Sequence, residues 1–198
     1  MRALPAVPAW GSADFAGWRR ILWLDLALLV LVRRWERHHA TRLMRALTRL
    51  GDTSSWVLLT LVLAAVPGEG PGLSLLAAAG ATTGLAASQA LKRVCRRSRP
   101  SIGIGGRAVK ALVENPDAFS FPSGHTAVAF AVAAALASPL HALGEVAMAL
   151  AAGVGVSRVY LGAHYPLDVA VGAGIGVACG WAARGAVVMW VAPGLGLG

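Results

Sequence analysis

The chain has 198 residues, of which 57% are hydrophobic and only 14% charged; its mean hydropathy is +0.64 and its formal net charge +9. That balance excludes an ordinary soluble globular domain, and the length permits a single domain over residues 1–198. Cys95 and Cys179 fall in unlike settings, one cationic and one apolar, so both read as free thiols with no disulfide framework or metal site implied.

The positive charge is gathered into two blocks, Arg33–Arg49 with six arginines and Lys92–Lys110 with seven basic residues. Such blocks suit either nucleic acid or a membrane border facing anionic headgroups. In a chain this apolar the border is the better reading, and the expected partners are membrane lipids rather than nucleic acid.

In chain order, residues 1–20 hold three arginines and two early prolines, and no cleavable signal peptide is expected there. Six hydrophobic segments follow, at 21–32, 54–67, 72–91, 123–140, 142–157 and 166–183, with an apolar, glycine-containing tail after Arg184. A membrane span needs ~20 residues, so the shorter segments are marginal. The first segment holds Asp25 and runs into the arginine-rich stretch, which suits a tilted or interfacial helix as well as a span. Residues 52–55 would start the second helix with capping side chains, Asp52 first. The turn at 68–71 makes the second and third segments an antiparallel hairpin. Small residues crowd the last three segments, which lets helices approach closely. The expected fold is therefore an all-α, integral-membrane helical bundle. No linker, internal repeat or low-complexity tract divides it.

Counting the segments as spans brings three polar motifs to the same membrane face. The first is Lys92 with Arg99-Pro100, the second Pro122-Ser123-Gly124-His125, and the third Ser157-Arg158, His164 and Asp168. In the third motif, His164 and Asp168 are four apart and would share one face of a helix opened by Pro166. The carboxylate could then fix the imidazole tautomer and leave its other nitrogen free to attack. The second motif puts a helix N-terminus and a glycine where an anion can come close, with His125 beside it to give a proton to a leaving oxygen. Lys92, Arg99 and Arg158 are phosphate-binding cations, arginine as a rigid fork and lysine as a point charge. Arg93, Arg96, Arg97, Arg107 and Lys110 are taken as border charges. Each motif alone is equally a polar helix end. Converging at one face, they form a set suited to metal-free phosphoryl transfer.

The ordered patterns K-x6-RP, PSGH and SR-x5-H-x3-D resemble the type 2 phosphatidic acid phosphatase superfamily, over residues 92–168 for the motifs and most of the chain for the layout. Its members include phosphatidylglycerophosphate and undecaprenyl pyrophosphate phosphatases. The resemblance implies that His164 attacks phosphorus to form a phosphohistidine, that Asp168 orients it, and that His125 is the general acid. It further implies that Lys92, Arg99 and Arg158 hold the phosphate oxygens with Ser123 and the Gly124 N–H, and that no metal or cofactor is needed. The implied substrate is a lipid phosphate or diphosphate: undecaprenyl pyrophosphate, phosphatidylglycerophosphate or phosphatidic acid. A lipid phosphotransferase and a non-catalytic lipid-binding scaffold are the alternatives, although no motif histidine or aspartate is altered. In this layout Arg33–Arg49 shares the face of the site, which argues for the cytoplasmic side, whereas some members of the superfamily act at the periplasmic side.

Overall fold

The structure, a computed structural model, describes residues 16–101, 109–114, 117–140 and 142–191. Arg107 and the second half of the apolar tail, residues 192–198, lie outside the described residues. Among the described residues seven helices run in order: α1 (Ala16–Arg33), α2 (His38–Arg49), α3 (Thr53–Ala64), α4 (Gly70–Cys95), α5 (Gly124–Leu140), α6 (Ala142–Tyr160) and α7 (Pro166–Ala186), the last continued by a π-turn at Val187–Val191. No strand occurs among the described residues; Ser98 and Phe119 form a single antiparallel bridge in the connection between α4 and α5.

All six apolar segments are helical, and the all-α expectation holds. The count of six segments as spans is not confirmed. By length and composition one described helix can cross a membrane unaided, Pro166–Met189, while Thr53–Ala64 and Gly124–Ala137 are shorter apolar helices. At 1.5 Å per residue, a 12-residue helix such as α3 covers ~18 Å of the ~30 Å hydrocarbon core. The arginine-rich stretch does not prolong the first segment; it folds into a helix of its own, α2.

Helix α5 is the axis of the bundle. Ala127, Ala131 and Ala135 on it are wholly inaccessible, and α4, α6 and α7 pack around it. The contacts with α4 and α7 are made backbone to backbone. A Cβ added at Gly80 or Gly84 of α4 would stand 2.8 Å from atoms of Ala131. One added at Gly172 of α7 would stand 2.7 Å from the Ser123 carbonyl oxygen, and at Gly176 or Gly180 it would collide with the Ala127 or Ala131 carbonyl. Small residues thus bring α5 within van der Waals reach of both neighbours, the packing that holds helices together where water supplies no driving force. The expected hairpin is present: α3 packs on α4, and Ser74 Oγ donates to the Thr60 carbonyl at 2.8 Å. Outside this core, Leu58, Leu61, Trp181 and Met189 are among many large apolar side chains that stand exposed.

Candidate active site

Local chain geometry explains how the polar motifs meet. Helix α4 ends when Arg96 turns left-handed (φ 45°), which sends the chain back across the end of the bundle. Helix α6 ends at Gly162, whose φ of 71° suits glycine best. The Ala163 and His164 N–H groups then fold back onto the Arg158 carbonyl, at 3.0 and 3.2 Å. Tyr165 is extended, as a residue before proline prefers, and α7 starts at Pro166. His164 therefore sits in the turn ahead of α7 and not on that helix. Its expected closeness to Asp168 is kept, but through this turn rather than a shared helical face.

A cavity of about 410 Å³ opens at this end of the bundle, and Lys92, Arg99, Gly124, His125, Arg158 and His164 all line it. Six of the eight site residues expected from sequence thus share one space. The other two lie behind it. Ser123 is fully buried; its hydroxyl accepts a hydrogen bond from Thr126 Oγ1 at 2.9 Å, and its N–H donates to the Asp168 carbonyl at 2.9 Å. Asp168 is also fully buried, with Oδ2 3.6 Å from His164 Nδ1, within electrostatic reach but beyond a hydrogen bond. On the other side of the ring, His164 Nε2 lies 3.2 Å from Arg99 Nη1, which can only donate. A neutral imidazole with its lone pair on Nε2 satisfies both contacts. Burial pushes His164 down to about 3, with Arg158 and Arg99 adding to the effect and Asp168 opposing it, so the ring is neutral near pH 7.

Four acidic or basic residues that sequence reasoning misjudged complete the site. Asp117 was not singled out, yet its carboxylate joins both cations of the first motif: Oδ2 is 2.5 Å from Lys92 Nζ, and Oδ1 pairs with Arg99 Nη2. Arg99 Nε also donates to the Asp117 carbonyl at 2.8 Å. Burial alone would raise the Asp117 carboxyl, but the hydrogen bonds from Lys92 and Arg99 outweigh it and hold the group below the usual carboxylate range. Asp52 was expected to cap α3. It stands at the cap position, but its side chain makes no cap hydrogen bond to the helix; its Oδ1 is 3.0 Å from His125 Nε2. The capping role is lost because the turn before α3 is pressed against His125: a Cβ on Gly51 would lie 2.9 Å from the His125 ring.

The last two are Arg97 and Asp25. Arg93, Arg96 and Lys110 are exposed, as border charges should be, but Arg97 is buried. Its guanidinium bonds Asp168 Oδ1 at 2.7 Å and Asp25 Oδ2 at 2.6 Å. The signal for Asp25 was present in sequence, since a carboxylate inside an apolar segment needs a partner. Nothing in the spacing distinguished Arg97 from its neighbours.

Two imidazoles and three cations around one cavity at the end of a helical bundle define the class of protein: one whose site suits an oxyanion. The chain belongs to the PAP2 superfamily, whose family model matches residues 71–192, and it is a phosphatase. Over 141 residues it is 36% identical to decaprenylphosphoryl-5-phosphoribose phosphatase of Mycobacterium tuberculosis (strain ATCC 25618 / H37Rv), covering 69% of this chain and 74% of that protein. Among solved structures it resembles LpxE of Aquifex aeolicus, with a TM-score of 0.71 and 27% identity over 81% of this chain and 94% of that one. It also resembles a transmembrane PAP2-type phosphatidylglycerolphosphate phosphatase from Bacillus subtilis, with a TM-score of 0.66 and 25% identity over 84% of this chain and 85% of that one.

Proposed function

We propose that the chain is a membrane lipid phosphatase that removes a terminal phosphate through a phosphohistidine, with no metal. The observation that carries the lipid assignment is the shape of the cavity. From the histidines and cations its lining continues onto α3, α4 and α5 at Trp56, Val57, Ala81, Leu85 and Val128, with the hydroxyls of Thr60 and Thr82 among them. A headgroup at the polar end would leave its chain against apolar side chains. The relatives support this reading, since one is named for a decaprenyl-linked phosphate and another for a phosphatidylglycerol phosphate. The exposed apolar side chains and the span-length α7 support a bilayer setting.

In this mechanism Lys92, Arg99 and Arg158 take the non-bridging phosphate oxygens, aided by the Gly124 N–H at the start of α5. A Cβ on Gly124 would meet only Ser88 Oγ, at 3.5 Å, so packing within the protein does not demand glycine there; close approach of a phosphate does. His164 Nε2 attacks phosphorus as the bond to the leaving oxygen breaks, and His125 gives that oxygen a proton. Asp168 stabilises the positive charge that forms on the His164 ring. Water then attacks the phosphohistidine, His125 takes its proton, and phosphate and the free imidazole are released. The fixed cations supply the charge stabilisation of phosphoryl transfer.

The test is phosphate release by the purified protein and by His164→Ala, in detergent with EDTA. The panel holds undecaprenyl pyrophosphate, phosphatidylglycerophosphate, phosphatidic acid and a water-soluble ester. His164-dependent release from a lipid, unaffected by EDTA and inhibited by vanadate, is the expected result. Turnover retained by His164→Ala would remove the nucleophile, and a strict divalent-metal requirement would remove the mechanism. Release from the soluble ester alone would remove the lipid assignment.

A further inference from the structure

Helix α1 lies outside the three motifs, yet it sends one carboxylate to the back of the site. Asp25 is buried and is the one charged residue in the apolar stretch 21–32 of this helix, and both of its oxygens are used. Oδ2 accepts from Arg97 Nη2 at 2.6 Å, and Oδ1 accepts the N–H of Leu167 at 2.7 Å. Leu167 stands between His164 and Asp168 in the chain. Arg97, equally buried, divides its fork between Asp25 and Asp168 and lies with its guanidinium carbon 3.9 Å from the centre of the Tyr165 ring. Asp168 Oδ2 in turn accepts the Tyr165 N–H at 2.9 Å. Apart from the Arg97–Asp25 pair itself, these contacts fall on residues 165–168, which follow His164 into the first turn of α7.

The charges are as informative as the contacts. Arg97 paired with Asp168 alone would cancel the negative charge that a phosphorylated imidazole needs behind it. With Asp25 present, Arg97 has a carboxylate of its own, and the group of three keeps one net negative charge against the His164 ring. Three buried charges in an apolar bundle are costly, and a plain helix tie would be served as well by apolar packing.

We infer that Asp25 and Arg97 are positioning residues for catalysis: together they aim Asp168 at His164 Nδ1 and keep the net charge behind the nucleophile negative. The inference rests on His164 being the nucleophile, as proposed above. Outer partners that orient a catalytic group typically contribute about 10- to 100-fold in activity. Asp25→Asn keeps the shape and the acceptor for Leu167 but removes the charge. It should lower kcat by about 10-fold or more while KM stays within about twofold, because the phosphate and lipid contacts are untouched.

The experiment measures kcat, KM and the thermal melt of Asp25→Asn in detergent, together with phosphohistidine trapped by alkaline quench. A folded variant with low kcat, unchanged KM and less trapped phosphohistidine is expected. Wild-type kcat per folded molecule, or a raised KM with kcat intact, would overturn the inference. Should Asp25→Asn fail to fold, Arg97→Lys decides. Its single ammonium keeps the charge but cannot bridge both carboxylates, so kcat should again fall with KM held, and an unchanged kcat would overturn the inference. His164→Ala in the same assay separates the two ideas. Activity there defeats the nucleophile assignment, whereas an inactive His164→Ala beside a fully active Asp25→Asn defeats only the role of α1.

Discussion

The two ends of helix α5 are held by opposite kinds of force. Along its length, Ala127 and Ala131 meet glycines of α4 and α7 at backbone distance, so fit is set by the absence of side chains. At its start, Ser123 and His125 join a cluster of cations, carboxylates and imidazoles that satisfy one another: Lys92 and Arg99 on Asp117, His125 on Asp52, and Arg97 on Asp25 and Asp168. The first end tolerates no added volume, and the second is organised by pairing of charges from distant parts of the chain. The apolar end makes the polar one possible, since helices packed this closely leave the buried charges no alternative partners.

Substitutions can separate the two kinds of constraint. The largest loss of activity outside the nucleophile is expected at the polar end. Arg158 lines the cavity and donates to Thr48 Oγ1 at 2.8 Å. Arg158→Met should reduce kcat by about 10²–10³ while leaving much of the melting temperature intact, read from phosphate release and a thermal melt of one preparation. If it abolished folding instead, the cation would belong to the scaffold as much as to the site.

The apolar end should behave in reverse. Gly180→Leu drives a side chain into the Ala131 carbonyl and should lower stability by about 1–3 kcal/mol or more, while the molecules that remain folded keep their kcat. An unchanged melt would mean that α7 can move away from α5.

A smaller effect, of the opposite sign, is expected at Asp117. Lys92 and Arg99 are both bonded to its carboxylate, so a phosphate has to compete with it. Asp117→Asn should tighten vanadate inhibition and lower KM several-fold. Weaker vanadate binding would show that Asp117 holds the two cations in place and does not compete for them.

The smallest effect is on the pH dependence of stability. In the folded protein His164 is held down to about 3, against an ordinary value of 6.5. Below pH 6.5 the unfolded chain takes up a proton that the folded ring refuses, so this residue makes stability fall as pH drops from 6.5 toward 3. The melting temperature of His164→Gln should therefore decline less on acidification than that of the parent. Equal slopes would show that the ring is not buried in a neutral state.

Much of this was legible in the chain. Hydrophobic runs located every described helix except the arginine-rich α2, because an apolar helix needs only local hydrogen bonds and an apolar surrounding. Motif spacing named six of the residues that line the cavity, because those side chains sit within four residues of a helix end. What stayed hidden were the pairings across long stretches of chain. Arg97 looked like Arg93 and Arg96 until the left-handed turn at Arg96 directed it inward, and Asp52 looked like a cap until the turn before α3 met His125.

Sequence by itself therefore determined the helical class, the phosphatase activity and the family, each a property of composition or of short-range spacing. Only the tertiary structure decided which carboxylate answers which cation. The partners of Asp25, Asp52 and Asp117 are 72, 73, and 25 and 18 residues away, respectively. Electrostatic pairing depends on distance in space, and over such separations the packing of glycine against alanine sets that distance.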